Sequence, residues 1–344
     1  MRILVIGGTG HFGRATVQKL VQRGDDVTVF SRGNVLPEFI DDVRHIQGDR
    51  NDRDFFYSAF KKSTFDAVID NIAYTSEDIH EILRTFKNNI GHYLVSSSGI
   101  VCYTKDIGMR LFSEDEVDYD VITNNSYADG KLALEKALLS DPEISTAMPF
   151  TIFRPTIVEG PFDPHYHRTW YWVQRILDGG PVLIPRTNPS TLLRHVYTED
   201  VADIYLMCLD NPKSHNKVYH VAGRDIFDLA DYVSLIAEIL GKQPKLVFTS
   251  YKEVRQYPGL SEFKSEFVEL RQTMDIARAM IELKWEPTPI QEWLPVSLNW
   301  MLNMENRTDS AGYSLRKHEI AFAEKYTASY KIVQSPSVLS SDFR

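Results

Sequence analysis

The sequence predicts an α/β protein: a Rossmann-like, doubly wound parallel sheet with a smaller C-terminal lobe. Three observations carry that expectation. Short β-branched runs alternate with helical stretches through the first third of the chain. A glycine-rich loop directly follows the first of those runs. After about residue 160 the texture changes to turn-rich, aromatic sequence.

Taken in order, Ile3–Ile6, Val27–Phe30, Val43–Ile46, Ala67–Asp70 and Tyr93–Ser96 read as five strands. They are near-continuously apolar, as strands covered on both faces should be. Ala15–Val21 carries apolar residues at helical spacing, and a second helix is expected from Tyr127 to about Leu139. Beyond Gly160-Pro161, the pairs Asp163-Pro164, Gly180-Pro181 and Asn188-Pro189 break the chain, with Trp170, Tyr171 and Trp172 clustered among them. That cluster suits either a ligand-contacting surface or a hydrophobic seam between lobes. Val201–Leu209 and the strand-like Val218–Val221 are expected to return to the main sheet. The resulting division gives residues 1–160, with about 195–222, to a dinucleotide-binding domain. Residues 161–194 and 223–305 form a substrate lobe, and 306–344 a partly helical extension. Leu315–Tyr326 is the helical part, and Ser335–Arg344 reads as loose.

Composition narrows the function. The chain has 344 residues, of which 43% are hydrophobic and 25% charged, ample for a buried core. Thirty-eight basic against 47 acidic side chains leave a net charge of −9, which disfavours general nucleic-acid binding. Two scattered cysteines, Cys102 and Cys208, are too few for a disulfide framework or a four-ligand zinc site, so no metal is expected. A run of only four apolar residues, Ile3–Ile6, leads into the first glycine, and no run approaches the roughly 20 residues of a membrane span. A cytoplasmic protein without a membrane association is the expectation.

The glycine loop, Gly7-Gly8-Thr9-Gly10-His11-Phe12-Gly13, joins the first strand to a helix. Glycine allows the sharp turn and the close approach of backbone to a pyrophosphate, while the helix N-terminus offers free N–H groups and a positive dipole end. Gly7, Thr9, Gly10, His11, Phe12 and Gly13 are therefore candidate cofactor contacts. Where an NAD site would place an acid at the end of the second strand, this chain has Ser31-Arg32. Arg32 could pair with a 2′-phosphate through its bidentate fork, favouring NADP over NAD.

The fifth strand ends Ser96-Ser97-Ser98-Gly99, and Tyr127-Ala128-Asp129-Gly130-Lys131 follows on a helix. The four-residue step puts Tyr127 and Lys131 on one face. A nearby ammonium favours the phenolate of a tyrosine that is otherwise a poor base at neutral pH. Ser98 would hydrogen-bond a reacting carbonyl or hydroxyl, and Tyr127 would give or take its proton. Ser98, Tyr127 and Lys131 are thus the candidate catalytic set, with Tyr127 and Lys131 also at the cofactor.

The Gly-x-x-Gly-x-x-Gly spacing resembles the short-chain dehydrogenase/reductase superfamily. Over nearly its whole length the chain looks like the extended group, which contains nucleotide-sugar epimerases and dehydratases. The matching residues include Arg154-Pro155 with Gly160-Pro161, Asp200-Val201-Ala202-Asp203, Asp275–Ala279 and Leu283–Pro287. The resemblance implies that Asp49 meets the adenine amino group and that the backbone at Ile157 and Val158 meets the nicotinamide carboxamide. Arg50, Asn71, Ala73 and Ser96 complete the expected cofactor contacts. It also implies an arginine clamp for a nucleotide-sugar diphosphate, with Arg194 and Arg278 as candidates. His165 and Arg168 are further expected substrate contacts. Dimerisation through the helices flanking the sheet is common in the superfamily. Around Gly48–Arg50 and Arg168–Pro185 the chain also resembles chloroplast stem-loop-binding proteins, a branch associated with RNA.

Departures from the extended pattern sharpen the expectation. The Asp-Glu pair of 4,6-dehydratases is replaced by Gly99-Ile100, which argues against elimination chemistry. Ile157-Val158-Glu159 stands where Asn-Val-Tyr is usual, and Arg194 lies one residue closer to Asp200 than the pattern has it. The acidic run from Glu114 to Asp120 is expected to be a solvated loop. The expected function is an NADPH-dependent carbonyl reductase acting on a sugar-like or natural-product molecule. The alternatives are a nucleotide-sugar epimerase with transient hydride transfer, and a non-catalytic nucleotide-sensing or RNA-binding protein.

Overall fold

A computed structural model describes residues 1–104, 110–188, 190–268 and 270–329. The expected loose end, Ser335–Arg344, lies outside the described residues, as does Pro189. The chain runs β1 (Arg2–Ile6), α1 (His11–Arg23), β2 (Asp26–Ser31), β3 (Arg44–Gln47), α2 (Arg53–Phe60), β4 (Phe65–Asp70), α3 (Ser76–Phe86) and β5 (Ile90–Ser96). It continues through α4 (Ser126–Ser140), α5 (Pro142–Ala147), β6 (Phe150–Pro155), β7 (Val158–Glu159), α6 (His167–Leu177), β8 (Val182–Pro185) and β9 (Val196–Tyr197). Then come α7 (Thr198–Leu209), β10 (Lys217–Val221), α8 (Leu229–Ile239), β11 (Leu246–Thr249), α9 (Tyr251–Arg255), α10 (Ala277–Leu283), α11 (Ile290–Leu302) and α12 (Arg316–Ser329).

Two compact units result. The first comprises Met1–Tyr166, Leu192–Phe227 and Arg271–Glu305, so Arg271–Glu305, assigned from sequence to the smaller lobe, groups with the sheet. Its seven strands are ordered β10-β6-β5-β4-β1-β2-β3 and pair in parallel throughout. Strand alternation divides the core into two layers. Ile3, Val5, Ala67 and Ile69 face one side, with Val17, Leu20 and Tyr205 from α1 and α7. Leu4, Ile6 and Val68 face the other, where Phe30, Phe56, Phe60, Phe65 and Phe86 form an aromatic cluster with neighbouring ring centroids such as Phe56–Phe60 at 5.0 Å and Phe30–Phe56 at 5.2 Å. The expectation of strands buried on both faces fails at β3. It is the edge strand, and Arg44 and Gln47 are exposed.

Sequence reading named no strand at Phe150–Pro155, yet β6 is an interior strand, beside the edge strand β10, and wholly buried. Its Thr and Arg break the apolar run that signals such a strand. Val201–Leu209 lies in α7, which packs on α1, and Val218–Val221 lies in β10 at the sheet edge. The Asp200 and Leu283–Pro287 segments are bonded to each other. Asp200 accepts from Thr288 N at 2.9 Å and Thr288 Oγ1 at 2.6 Å, and its backbone carbonyl accepts from Trp285 Nε1 at 3.1 Å.

The second unit comprises His167–Thr191, Asp228–Leu270 and the chain from Asn306. β8 and β11 pair in parallel, over a core of Leu183, Val247, Val254, Leu260, Phe263 and Phe322. Trp170, Tyr171 and Trp172, on α6, are buried. The Arg175 guanidinium stacks 3.5 Å from the Tyr171 ring and the Arg307 guanidinium 3.9 Å from Trp170. α12, the expected extension helix, is bound in by a buried bidentate pair, Arg175 to Glu319 at 2.9 and 2.7 Å. Both cysteines are buried, and burial raises each thiol to about 12. Among the described residues no helix is long and apolar enough to cross a membrane, and no cluster of His, Cys, Asp or Glu could hold a metal ion.

Candidate active site

The glycine loop leaves β1 and enters α1 as the spacing predicts. Gly13 must lack a side chain, because a Cβ there would run into the Gly7 carbonyl. The space beside Gly10 is open, with nothing within 4 Å of where its Cβ would stand. Gly10 caps α1 and brings no side chain of its own to compete for the first N–H groups. Asn71, after β4, donates its backbone N–H to the Ile6 carbonyl at 3.0 Å, while its buried Oδ1 has no hydrogen-bond partner among the described residues. An open loop, an uncapped helix start and a buried amide acceptor in reserve fit a dinucleotide.

At the end of β2, Ser31 is buried and its Oγ lies 2.9 Å from His45 Nε2. Arg32 is exposed, and its guanidinium makes no hydrogen bond or ion pair among the described residues. Asp49 is exposed and accepts from Asn51 N at 2.8 Å. Arg50, named from sequence as a cofactor contact, is buried and committed elsewhere. Its Nη1 donates to both Asp70 oxygens at 2.8 Å, and its Nε lies 3.2 Å from Asp78 Oδ1. Those carboxylates, against the cost of burial, raise its pKa above the usual arginine value.

The helix carrying Tyr127 starts where Asn125 Oδ1 accepts from Tyr127 N at 3.1 Å and Ala128 N at 3.2 Å. Tyr127 is 43% exposed, whereas Lys131, one turn on, is only 2% exposed. Lys131 Nζ donates to the Ala73 carbonyl at 2.6 Å and the Ser96 carbonyl at 2.7 Å, bridging the ends of β4 and β5. It also lies 4.9 Å from the Tyr74 ring and 5.8 Å from the Tyr127 ring. Gly130 permits this approach, since a Cβ there would stand 2.6 Å from the Tyr74 carbonyl. Burial lowers the Lys131 pKa to about 8, opposed by the charges of Asp70 and Glu135. Ser98 is half-buried, and its Oγ accepts from Ile100 N at 3.3 Å in the turn after β5. Ile157 is half-buried, and its carbonyl accepts from Val196 N at 2.9 Å.

The substrate candidates divide. Arg194 is only 6% exposed; its Nε donates to the Gly223 carbonyl at 2.6 Å and its Nη1 to the Met274 carbonyl. No carboxylate lies within ion-pair distance of it among the described residues, and burial lowers its pKa. Arg278 pairs with Asp115 at 2.5 Å and lies 3.7 Å from Glu114. The acidic run is therefore only partly solvated: Glu114 is buried, accepts from His220 N at 3.1 Å, and has its pKa raised by burial. His165 is exposed, with its backbone N–H on Asp163 Oδ1 at 2.7 Å. Arg168 lies on α6, in the second unit.

Sequence reasoning missed the network behind the Tyr127 helix. Glu135, fully buried, accepts from Arg154 Nε at 3.0 and 3.1 Å and from Nη2 at 2.7 Å. It also accepts from Ser97 Oγ at 2.5 Å and Tyr119 OH at 2.9 Å, while Arg154 Nη1 donates to the Glu114 carbonyl at 2.8 Å. The signal was available: Glu135 stands four residues after Lys131 and eight after Tyr127, a spacing that stacks them along one stripe. A second buried pair, Glu159 Oε1 and His195 Nδ1 at 2.8 Å, occupies the position where the chain departs from Asn-Val-Tyr.

Comparison with known proteins agrees with this arrangement. A sequence model of the NAD dependent epimerase/dehydratase family matches residues 3–94 and 81–222. The chain belongs to this family. It is thereby an NAD(P)-dependent enzyme. Relatives include a chloroplast stem-loop binding protein of 41 kDa from Arabidopsis thaliana, 28% identical over 267 residues, covering 73% of this chain and 67% of that protein. A UDP-glucose 4-epimerase of Lacticaseibacillus casei is 23% identical over 279 residues, covering 71% of this chain and 82% of that one. The crystal structure of a UDP-glucose 4-epimerase from Thermotoga maritima with UDP-glucose superposes with a TM-score of 0.70 at 19% identity, covering 87% and 98% of the two chains.

Two tests follow from the buried charges. Glu135→Gln leaves Arg154 uncompensated and should cost about 3–5 kcal/mol in urea unfolding, whereas Glu135→Gln with Arg154→Met should cost clearly less than the sum of the single changes. For Lys131, the folded pKa of about 8 lies below the model-peptide value of 10.5, so the unfolded chain binds more protons between them. Stability should therefore rise with pH across that window. The difference in unfolding free energy between the parent and Lys131→Met should shift in the parent's favour as pH climbs from about 8 to 10.5.

Proposed function

We propose that the chain is an NADPH-dependent carbonyl reductase acting on a sugar-like or natural-product ketone through Ser98, Tyr127 and Lys131. The observation that carries this reading is the buried Lys131, anchored by two carbonyls beneath an exposed Tyr127. When bound, the nicotinamide supplies hydride to the carbonyl carbon. Ser98 Oγ holds the substrate oxygen, and Tyr127 delivers the proton to that oxygen from its phenol. The Lys131 ammonium stabilises the phenolate left behind, and its low pKa keeps it close to losing its own proton near neutrality. The Gly7–Gly13 loop and the start of α1 would receive the pyrophosphate.

NADP selection is the second part of the proposal. Arg32 is exposed and has no internal partner among the described residues, leaving its fork for a 2′-phosphate beside Ser31. NADP pools in cells are kept reduced, which is why an NADP-selective enzyme of this type runs towards reduction. A cytoplasmic location suits that pool. Arg194, buried without a carboxylate partner among the described residues, supports an anionic group on the substrate, though two carbonyls already hold two of its nitrogens.

A second reading, a nucleotide-sugar epimerase, is favoured by the likeness to UDP-glucose 4-epimerases over 71% of the chain. The two differ in whether turnover changes the oxidation state of the nicotinamide. A screen of nucleotide sugars and small ketones, followed by nicotinamide absorbance, separates them: steady consumption of NADPH supports the reductase, and turnover without net consumption supports the epimerase.

Tyr127→Phe should lower kcat/KM by about 100-fold or more on any substrate found while leaving NADPH affinity nearly unchanged. Arg32→Ala should weaken NADPH binding by about tenfold and leave NADH binding intact in calorimetric titration. An unchanged ratio of the two dissociation constants would rule out the selection proposed for Arg32.

A further inference from the structure

Residues 160–166 sit on the glycine loop of the same unit. The Phe162 ring covers the Arg14 guanidinium at 3.7 Å, and Asp163 Oδ1 lies 3.7 Å from His11 Nε2. On its other side the segment is fastened to α11, with Phe162 and Tyr166 at 5.7 and 6.0 Å from the Trp300 ring. Within the segment, Asp163 Oδ1 also accepts from His165 N at 2.7 Å. Arg14 itself is buried and ion-paired with Glu38.

The backbone on both sides of this contact is unusual. His11 has φ +48° and Phe162 has φ +65°, left-handed values that bulky side chains seldom adopt. Such conformations persist where the surroundings over-determine them. Here His11 faces Asp163 and Phe162 faces Arg14, so each of the two residues takes part in one of the contacts between the segments. His11 is also the first residue of α1, so its conformation helps aim the N–H groups of a phosphate-binding concavity.

We propose that residues 160–166 form a clasp on the phosphate-binding loop. By pinning His11 and Arg14 it holds the loop in its receptive form and slows release of the dinucleotide. The proposal rests on the dinucleotide reading above and goes beyond it. A rigid, preformed cradle lengthens the residence of its ligand chiefly through the dissociation rate. In a reductase the clasp makes exchange of spent cofactor a slow step, and in an epimerase it retains the cofactor between turnovers.

The test needs no substrate. The full chain loaded with NADPH is mixed with excess NADP, and the decay of bound nicotinamide fluorescence gives the release rate. Phe162→Ala removes the ring from both Arg14 and Trp300 and should speed release by about fivefold or more, with association little changed. Trp300→Leu loosens only the outer fastening and should speed release by a smaller factor. His11→Gly makes the left-handed backbone cheap, so on that background Phe162→Ala should lose most of its effect. Unchanged release in both Phe162→Ala and Trp300→Leu overturns the clasp while leaving the dinucleotide reading intact. A parent chain that binds neither NADPH nor NADH overturns both.

Discussion

The sheet and the candidate site meet in one buried ion pair, Glu135 with Arg154. Taking both charges out of water is costly, and the attraction between them offsets that cost only because nearly every lone pair and proton is used. Glu135 comes from the helix of Tyr127 and Lys131, and Arg154 from the strand that leads to Ile157. Ser97, bonded to the same carboxylate, is the immediate neighbour of Ser98. Tyr119 and the Glu114 carbonyl bring in the acidic loop. Four pieces of chain are thereby registered by one carboxylate and one guanidinium. A slip of α4 by one residue would break every bond to Glu135 together. The spacing of the candidate catalytic groups is thus inherited from the core.

Much of this was legible in advance, and the limits have physical causes. The five strands from Ile3 to Ser96 were readable because apolar runs of that length between helical patterns have few other homes. The glycine loop was readable because its geometry forbids side chains at Gly13. What escaped were residues whose role is set by a partner distant in sequence. β6 was hidden by Arg154, whose charge is neutralised by a residue 19 positions earlier. Arg50 looked available in a loop because Asp70 and Asp78, which bury it, stand beyond a helix and at or past the end of the next strand. Trp170–Trp172 suited a ligand surface or a hydrophobic seam alike, because an aromatic run in turn-rich sequence does not reveal which face is covered; the structure buries all three.

The cofactor side and the substrate side of the site are built differently. Around the glycine loop the groups on offer are backbone N–H, open space beside Gly10 and one exposed arginine. They depend little on side-chain identity, which is why a candidate cofactor half can be named from sequence at all. Around Arg194 and Arg278 the cations are already engaged, one by carbonyls and the other by Asp115. The net charge of −9 agrees with this division. On the proposed reading the exposed Arg32 would meet a phosphate at one end, while at the other Arg278 is balanced by Asp115.

The two cysteines carry a consequence of a different kind. Both thiols are sealed in the first unit, and burial keeps them protonated to about pH 12, so neither offers a thiolate to solvent. An alkylating reagent can reach them only in molecules that have opened that unit. The rate of thiol modification therefore counts openings of the native state, and it gives this protein a built-in clock for its own unfolding that requires no label and no engineered residue.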